Sequence, residues 1–229
     1  MPKGLLVFPP GWSPVGPYLA LPVLKSYLKE KKNYDIGITD LNVEFYDELL
    51  SSDYVKECCA KLRTIDNKFS RKIQLTLGLI RQSALDVDEA KAIFRSDRYF
   101  NLNERQYAEN VFRNALYIIN HASNGVKYTF NSIDLPYSYY STPEIIEAID
   151  DSLSNPFIRF YKRAFLKRIR NEAIEFVGIS VSGCYQLISA ITLAKLIKEE
   201  CPSVKHVSLG GNYITRLASV RMRGQHPFF

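Results

Sequence analysis

The sequence predicts an α/β protein built on a doubly wound, Rossmann-like parallel sheet with a large helical insertion. Three observations carry this expectation. A block near each end of the chain reads strand, helix, strand. The strands are continuous apolar runs of the kind buried on both faces of a parallel sheet. The roughly 130 residues between the blocks have helical spacing instead.

The first strand is Gly4-Leu5-Leu6-Val7-Phe8, stopped by Pro9-Pro10-Gly11. A loop follows through Trp12, Pro14, Gly16 and Pro17. From Tyr18 to Lys32, Leu21, Leu24 and Leu28 recur on one side and Lys25, Lys29 and Lys32 on the other, predicting a helix whose basic end suits its dipole. Pro22 must start or kink that helix. Tyr34 to Thr39 is the second strand, ending at Asp40-Leu41-Asn42. In the later block, Phe176 to Val181 is the third strand, followed by Ser182-Gly183 and a helix from Tyr185 to Glu200. That helix has Leu187, Ile188, Ile191 and Leu196 on its apolar face, and Pro202 ends it. Val204 to Leu209 is the fourth strand, closed by Gly210-Gly211.

Between the blocks, Phe69, Ile73, Leu77 and Ile80 mark one helix and Tyr107, Val111, Ala115 and Ile119 another. Ser141-Thr142-Pro143-Glu144 and Asn155-Pro156 are helix starts, each with a capping side chain and a proline in the first turn. The predicted division is a discontinuous α/β domain at 1–45 and 174–218, a helical insertion at 46–173 and an irregular tail at 219–229. Doubly wound sheets usually have five or more strands, so four predict a chain that stops inside its fold or borrows its completion.

The chain has 229 residues, 30 Lys and Arg against 24 Asp and Glu, a formal charge of +6, and 46% hydrophobic residues. That length can bury a core without disulfides or a structural metal. No apolar run approaches the roughly 20 residues a bilayer requires, which predicts no membrane span and a cytoplasmic setting with reduced thiols. The charge is too modest to imply a nucleic-acid partner by itself. Cys58 and Cys59 are adjacent, and Cys184 and Cys201 stand apart; none has the two-to-four-residue spacing of a chelating loop, so all four read as structural. His121, His206 and His226 are scattered.

In an open parallel sheet, ligands bind beyond the carboxyl ends of the strands, where strand order reverses. The candidates are therefore Pro9, Pro10 and Trp12 after the first strand and Asp40 and Asn42 after the second. Ser180, Ser182 and Gly183 follow the third strand, and Gly210, Gly211 and Asn212 the fourth. Glycine lets a large ligand approach the backbone, and serines and amides supply hydrogen bonds. The alternative reading of Gly210-Gly211 is a simple turn. The sequence lacks Gly-x-Gly-x-x-Gly after the first strand, Gly-x-x-x-x-Gly-Lys-Ser/Thr and Gly-x-Ser-x-Gly, which argues against a dehydrogenase, kinase or hydrolase. From Arg159 to Arg170, six basic residues and no acid interleave with Phe160, Phe165, Leu166 and Ile169. This is either the solvated side of a core helix or a surface for an acidic peptide or nucleic acid.

Leu6-Val7-Phe8-Pro9-Pro10, Leu21 to Leu28 and Ile38-Thr39-Asp40-Leu41-Asn42 together resemble the N-terminal region of cobalamin-binding radical S-adenosylmethionine enzymes. Val177-Gly178-Ile179-Ser180 and Val207-Ser208-Leu209-Gly210-Gly211-Asn212 resemble later strands of the same domain. That fold carries a Ser-x-Leu after its third strand and a Gly-Gly one crossover later; here Ser180-Val181-Ser182 and Gly210-Gly211 enclose residues 183 to 209, 27 positions. The resemblance implies that Ser180 and the Gly210-Gly211 backbone surround the nucleotide tail of cobalamin, with Pro9 to Trp12 near the corrin. The family's Asp-x-His-x-x-Gly loop is Asp40-Leu41-Asn42-Val43-Glu44-Phe45 in this chain, so the implied cobalamin is base-off, without a histidine ligand. Asn42 to Asp47 and Tyr140 to Glu144 are similar to the helical elaboration of peptide-modifying members. The Cys-x-x-x-Cys-x-x-Cys that holds their iron–sulfur cluster is missing from this sequence. The implied role is thus a cobalamin-binding module for a methyltransferase-type radical enzyme, non-catalytic alone, with a catalytic domain or peptide substrate as partner. A non-catalytic module for another ligand or partner is the alternative.

Overall fold

The computed structural model describes residues 3–16, 18–32, 34–65 and 71–219. They fall into two compact units, Tyr46–Thr129 and the remainder of the chain on either side of it. No cis peptide bond occurs among the described residues.

The remainder contains a four-stranded parallel sheet flanked by helices. Its strands are β1 (Lys3–Phe8), β2 (Asp35–Asp40), β5 (Phe176–Ser180) and β6 (His206–Gly210), in the order β2-β1-β5-β6; the two-residue strands β3 (Lys127–Tyr128) and β4 (Ile133–Asp134) are not part of it. The register places Val7 beside Thr39 and Ile179, Phe8 beside Asp40, and Ser180 beside Gly210. All four strands therefore end along one rim. Helix α1 (Ala20–Lys32) links β1 to β2, and α10 (Leu187–Glu200) links β5 to β6. The two connections run in opposite directions across the sheet, so right-handed crossovers put the two helices on opposite faces.

Side chains alternate across the pleat, and in-register partners share a face. On one face Leu5, Val7, Val177 and Ile179 are 7%, 0%, 1% and 1% exposed. This is the side of α10, against which α8 (Pro156–Phe160) and α9 (Leu166–Asn171) pack. A π-helical turn, Tyr161–Phe165, joins those two helices. On the other face Leu6 and Gly178 are half-buried, Ser208 is exposed, and Phe176 and Ile38 are each 39% exposed. Helix α1 lies on this side, and the predicted stripe of Leu21, Leu24 and Leu28 is only partly used: Leu21 is buried, Leu28 half-buried and Leu24 exposed. Pro22 falls in the first turn and starts the helix without kinking it.

The helix starts at Asn155 and Ser141 divide. The Asn155 side chain caps α8, accepting from the Phe157 N–H at 3.1 Å. Its amide also donates to the Ala148 carbonyl and the Thr192 hydroxyl, all fully buried. The Ser141 hydroxyl makes no capping bond to α7 (Thr142–Ala148). Residues 130–173, which the sequence predicts to be part of the insertion, belong to the compact unit of the sheet, because Phe157, Tyr161, Leu166 and Ile169 are buried in its core.

In the unit Tyr46–Thr129, α3 (Ser52–Ile65), α4 (Arg71–Ala84) and α5 (Val87–Phe94) pack on α6 (Leu102–Ala122). The inner face of α6 runs through Ala108, Ala115 and Ala122, small residues seven apart that admit the neighbouring helices. The sequence predicts Tyr107 on that stripe; instead Tyr107 is 42% exposed and its hydroxyl donates to Asp86. Phe69 lies outside the described residues. Helix α2 (Leu41–Leu49) follows β2, and α11 (Asn212–Ser219) follows β6. Of the predicted irregular tail, Ser219 closes α11 and residues 220–229 lie outside the described residues.

Candidate functional site

The rim brings together the predicted residues from the ends of all four strands, and strand order reverses between β1 and β5. What those residues do there differs. Asn42, on α2, is 1% exposed, and its side-chain oxygen accepts from the Gly11 and Trp12 backbone N–H groups at 3.1 Å each. It holds the loop after β1, and its oxygen is committed. Asp40 accepts from the Val43 N–H at 3.0 Å at the start of α2, and burial pushes its carboxyl above the ordinary value despite that bond.

Pro9 and Pro10 are buried, and the Pro9 carbonyl accepts from the Gln186 amide at 2.7 Å. Gln186 is fully buried, and its other end accepts from the Ser182 N–H at 2.8 Å. One side chain therefore ties the loop after β1 to the loop after β5. Sequence reasoning missed this residue; its signal is an amide immediately ahead of the apolar pair Leu187-Ile188 that opens α10. Trp12 is 39% exposed and meets Phe8 edge to face, and a Cβ on Gly183 would sit 3.0 Å from its ring. Gly183 thus makes room for Trp12.

The two terminal glycines separate cleanly. Gly211 has φ +95°, and a Cβ there would lie 2.5 Å from the Val181 carbonyl oxygen, so only glycine fits. At Gly210 a Cβ would meet nothing within 4 Å. Gly210 borders the lightly covered face, whose middle is floored by Gly178 and Ser208 beside Leu6. A Cβ on Gly178 would crowd the Leu6 side chain at 2.9 Å. Asn212 is exposed at the start of α11.

Ser180 is 8% exposed, and its hydroxyl is 2.8 Å from the Tyr18 hydroxyl. The Tyr18 ring stacks on Phe8, centroids 3.8 Å apart and planes 13° apart. Tyr18 is a second rim residue that sequence reasoning missed, since a tyrosine ahead of a helix carries no distinguishing pattern. Farther along the rim, Tyr185 packs edge to face on Tyr139. Exposed Tyr140 lies beside half-buried Cys184, and its electrostatic and hydrogen-bond interaction with that side chain pushes the Tyr140 phenol up.

Among the described residues no three His, Cys, Asp or Glu side chains are grouped to hold a metal ion. Cys58, Cys59 and Cys201 are buried free thiols, and burial pushes Cys58 up to about 12. The basic run turns its apolar residues into the core and three of its six charges toward acids of the same chain: Lys162 and Arg170 to Glu200, Arg168 to Glu44. Among the described residues no helix is long and apolar enough to cross a membrane. Comparisons with protein-family models, with curated proteins and with solved structures find no match.

Proposed function

We propose that this chain is a cobalamin-binding module of the kind that serves a radical S-adenosylmethionine methyltransferase, with the catalytic iron–sulfur domain supplied from elsewhere. The observation that supports the reading is the thinly covered floor beneath the rim, where small residues stand beside Leu6. Gly178 and Ser208 are adjacent and half-buried to exposed, Gly210 has open space above it, and Ser180 stands at the point where strand order reverses. A long ligand tail needs such a floor, because any larger side chain would occupy its path.

The residues fit the tail of cobalamin and do not offer its cobalt a lower ligand. Ser208 supplies an exposed hydroxyl, Ser180 one that Tyr18 holds, and Gly210 leaves its backbone approachable. Trp12 is the residue of the Pro9 to Trp12 segment with exposed surface to meet the corrin. Asn42 serves by positioning that segment. When bound, the cofactor would supply a methyl group carried on cobalt, and the chain would hold and orient it away from water.

The test is absorption spectroscopy of the purified chain mixed with cobalamin. A base-off spectrum is expected, and Gly210→Leu should weaken binding at least about tenfold by filling the floor without disturbing the fold. An unchanged spectrum from folded protein refutes the proposal.

A further inference from the structure

The rim end of the lightly covered face is already filled by an aromatic ring of this chain. Phe8 belongs to that face, yet it is 1% exposed, because the Tyr18 ring lies flat on it. The Tyr18 hydroxyl reaches Ser180, which is 92% buried and opposite Gly210 in the strand register. Two attachments, a stack and one hydrogen bond, hold Tyr18 at the reversal point.

Tyr18 itself lies outside every strand and helix. It sits between β1 and α1, in a segment where Val15 and Leu19 are 67% and 65% exposed. Swinging it away breaks no strand ladder and exposes one buried ring and one hydroxyl.

We infer that Tyr18 is a placeholder: it occupies a slot for a planar heteroaromatic ring, which stacks on Phe8, bonds Ser180 and displaces the phenol. The inference rests on the cobalamin reading for the identity of that ring, the benzimidazole at the end of the nucleotide tail. The slot itself stands on the geometry alone. Displacement makes binding weaker by the fraction of molecules in which Tyr18 is already out, so the residue sets an affinity threshold. A ligand without a ring at its end gains nothing from the slot and pays no such penalty.

Two measurements with Tyr18→Gly test this, and Tyr18→Phe guards against a folding defect. First, p-cresol, the side chain of tyrosine as a free molecule, should raise the thermal midpoint of Tyr18→Gly and leave that of the unsubstituted chain unmoved. No effect of p-cresol on folded Tyr18→Gly overturns the inference. Second, Tyr18→Gly should bind cobalamin at least about tenfold tighter than the unsubstituted chain, while cobinamide, which lacks the tail, binds both equally. Tyr18→Phe keeps the stack, frees Ser180 and should tighten cobalamin about fivefold. Equal cobalamin affinity in all three proteins overturns the placeholder and leaves the cobalamin reading intact. Rescue by p-cresol with no cobalamin binding to any of them supports the slot and refutes the cobalamin reading.

Discussion

The two faces of the parallel sheet carry opposite designs on the same four strands. On the α10 side, branched aliphatic residues such as Val7 and Ile179 are sealed from water. On the α1 side, the neighbouring positions hold Gly178, Ser208 and Gly210, and Phe176 and Ile38 are each 39% exposed. Burial of apolar area stabilises the first face, at about 25 cal/mol per Å2. On the second face Leu6, Phe176 and Ile38 keep part of their apolar area in water. Sealed and thinly covered surfaces are thus assigned to different sides, and substitutions should separate them.

The largest effect is expected on the sealed side. Ile179→Ala should cost about 4 kcal/mol by urea unfolding, because the neighbours cannot collapse into the space. Ser208→Ala on the other face should cost almost nothing by the same measurement; equal losses at the two positions would erase the contrast between faces. Next comes the rim clamp. Gln186→Ala leaves the Pro9 carbonyl and the Ser182 N–H without their partner and should cost about 3 kcal/mol.

The paired glycines sharpen the comparison within two residues. Gly211→Ala should lose about 2 kcal/mol to backbone strain and contact with Val181. Gly210→Ala should stay within about 0.5 kcal/mol of the unsubstituted chain in the same thermal scan.

The smallest effect is electrostatic and lies in the segment leading to α8. Tyr137 donates to Asp151 at 2.6 Å and, with the Ser154 side chain, holds its carboxyl down at about 2. The folded-state value is below the ordinary 3.8, so the stability it contributes is present above 3.8 and is lost as the pH falls toward about 2. In Asp151→Asn the acid limb of a pH–stability curve should flatten slightly over that window. An unchanged limb would remove Asp151 from the account.

Much of the sheet was legible because continuous apolar runs bounded by Pro and Gly have few other solutions. The register adds that Ser180 and Gly210 are direct neighbours. The site was legible as a set of strand ends but not as a set of roles. The strand-end pattern marks Asn42 and Gly183 as candidate ligand contacts, and the structure shows that each holds or admits a neighbouring part of the loop after β1. Gln186 and Tyr18 were silent, since their partners lie 177 and 162 residues away along the chain. Helices α7 to α9 were read with the insertion because helical spacing records which face is apolar and not which core receives it.

The sequence by itself determined the α/β class, the strand positions to within about two residues, and the meeting of the strand ends on one rim. Those follow from local periodicity and from the handedness of crossovers, which any similar chain obeys. Only the tertiary structure decided which face is sealed, which glycine is indispensable, and which side chains are already committed to one another. These depend on contacts between residues far apart in the chain, where a few tenths of an ångström separate a fit from a clash.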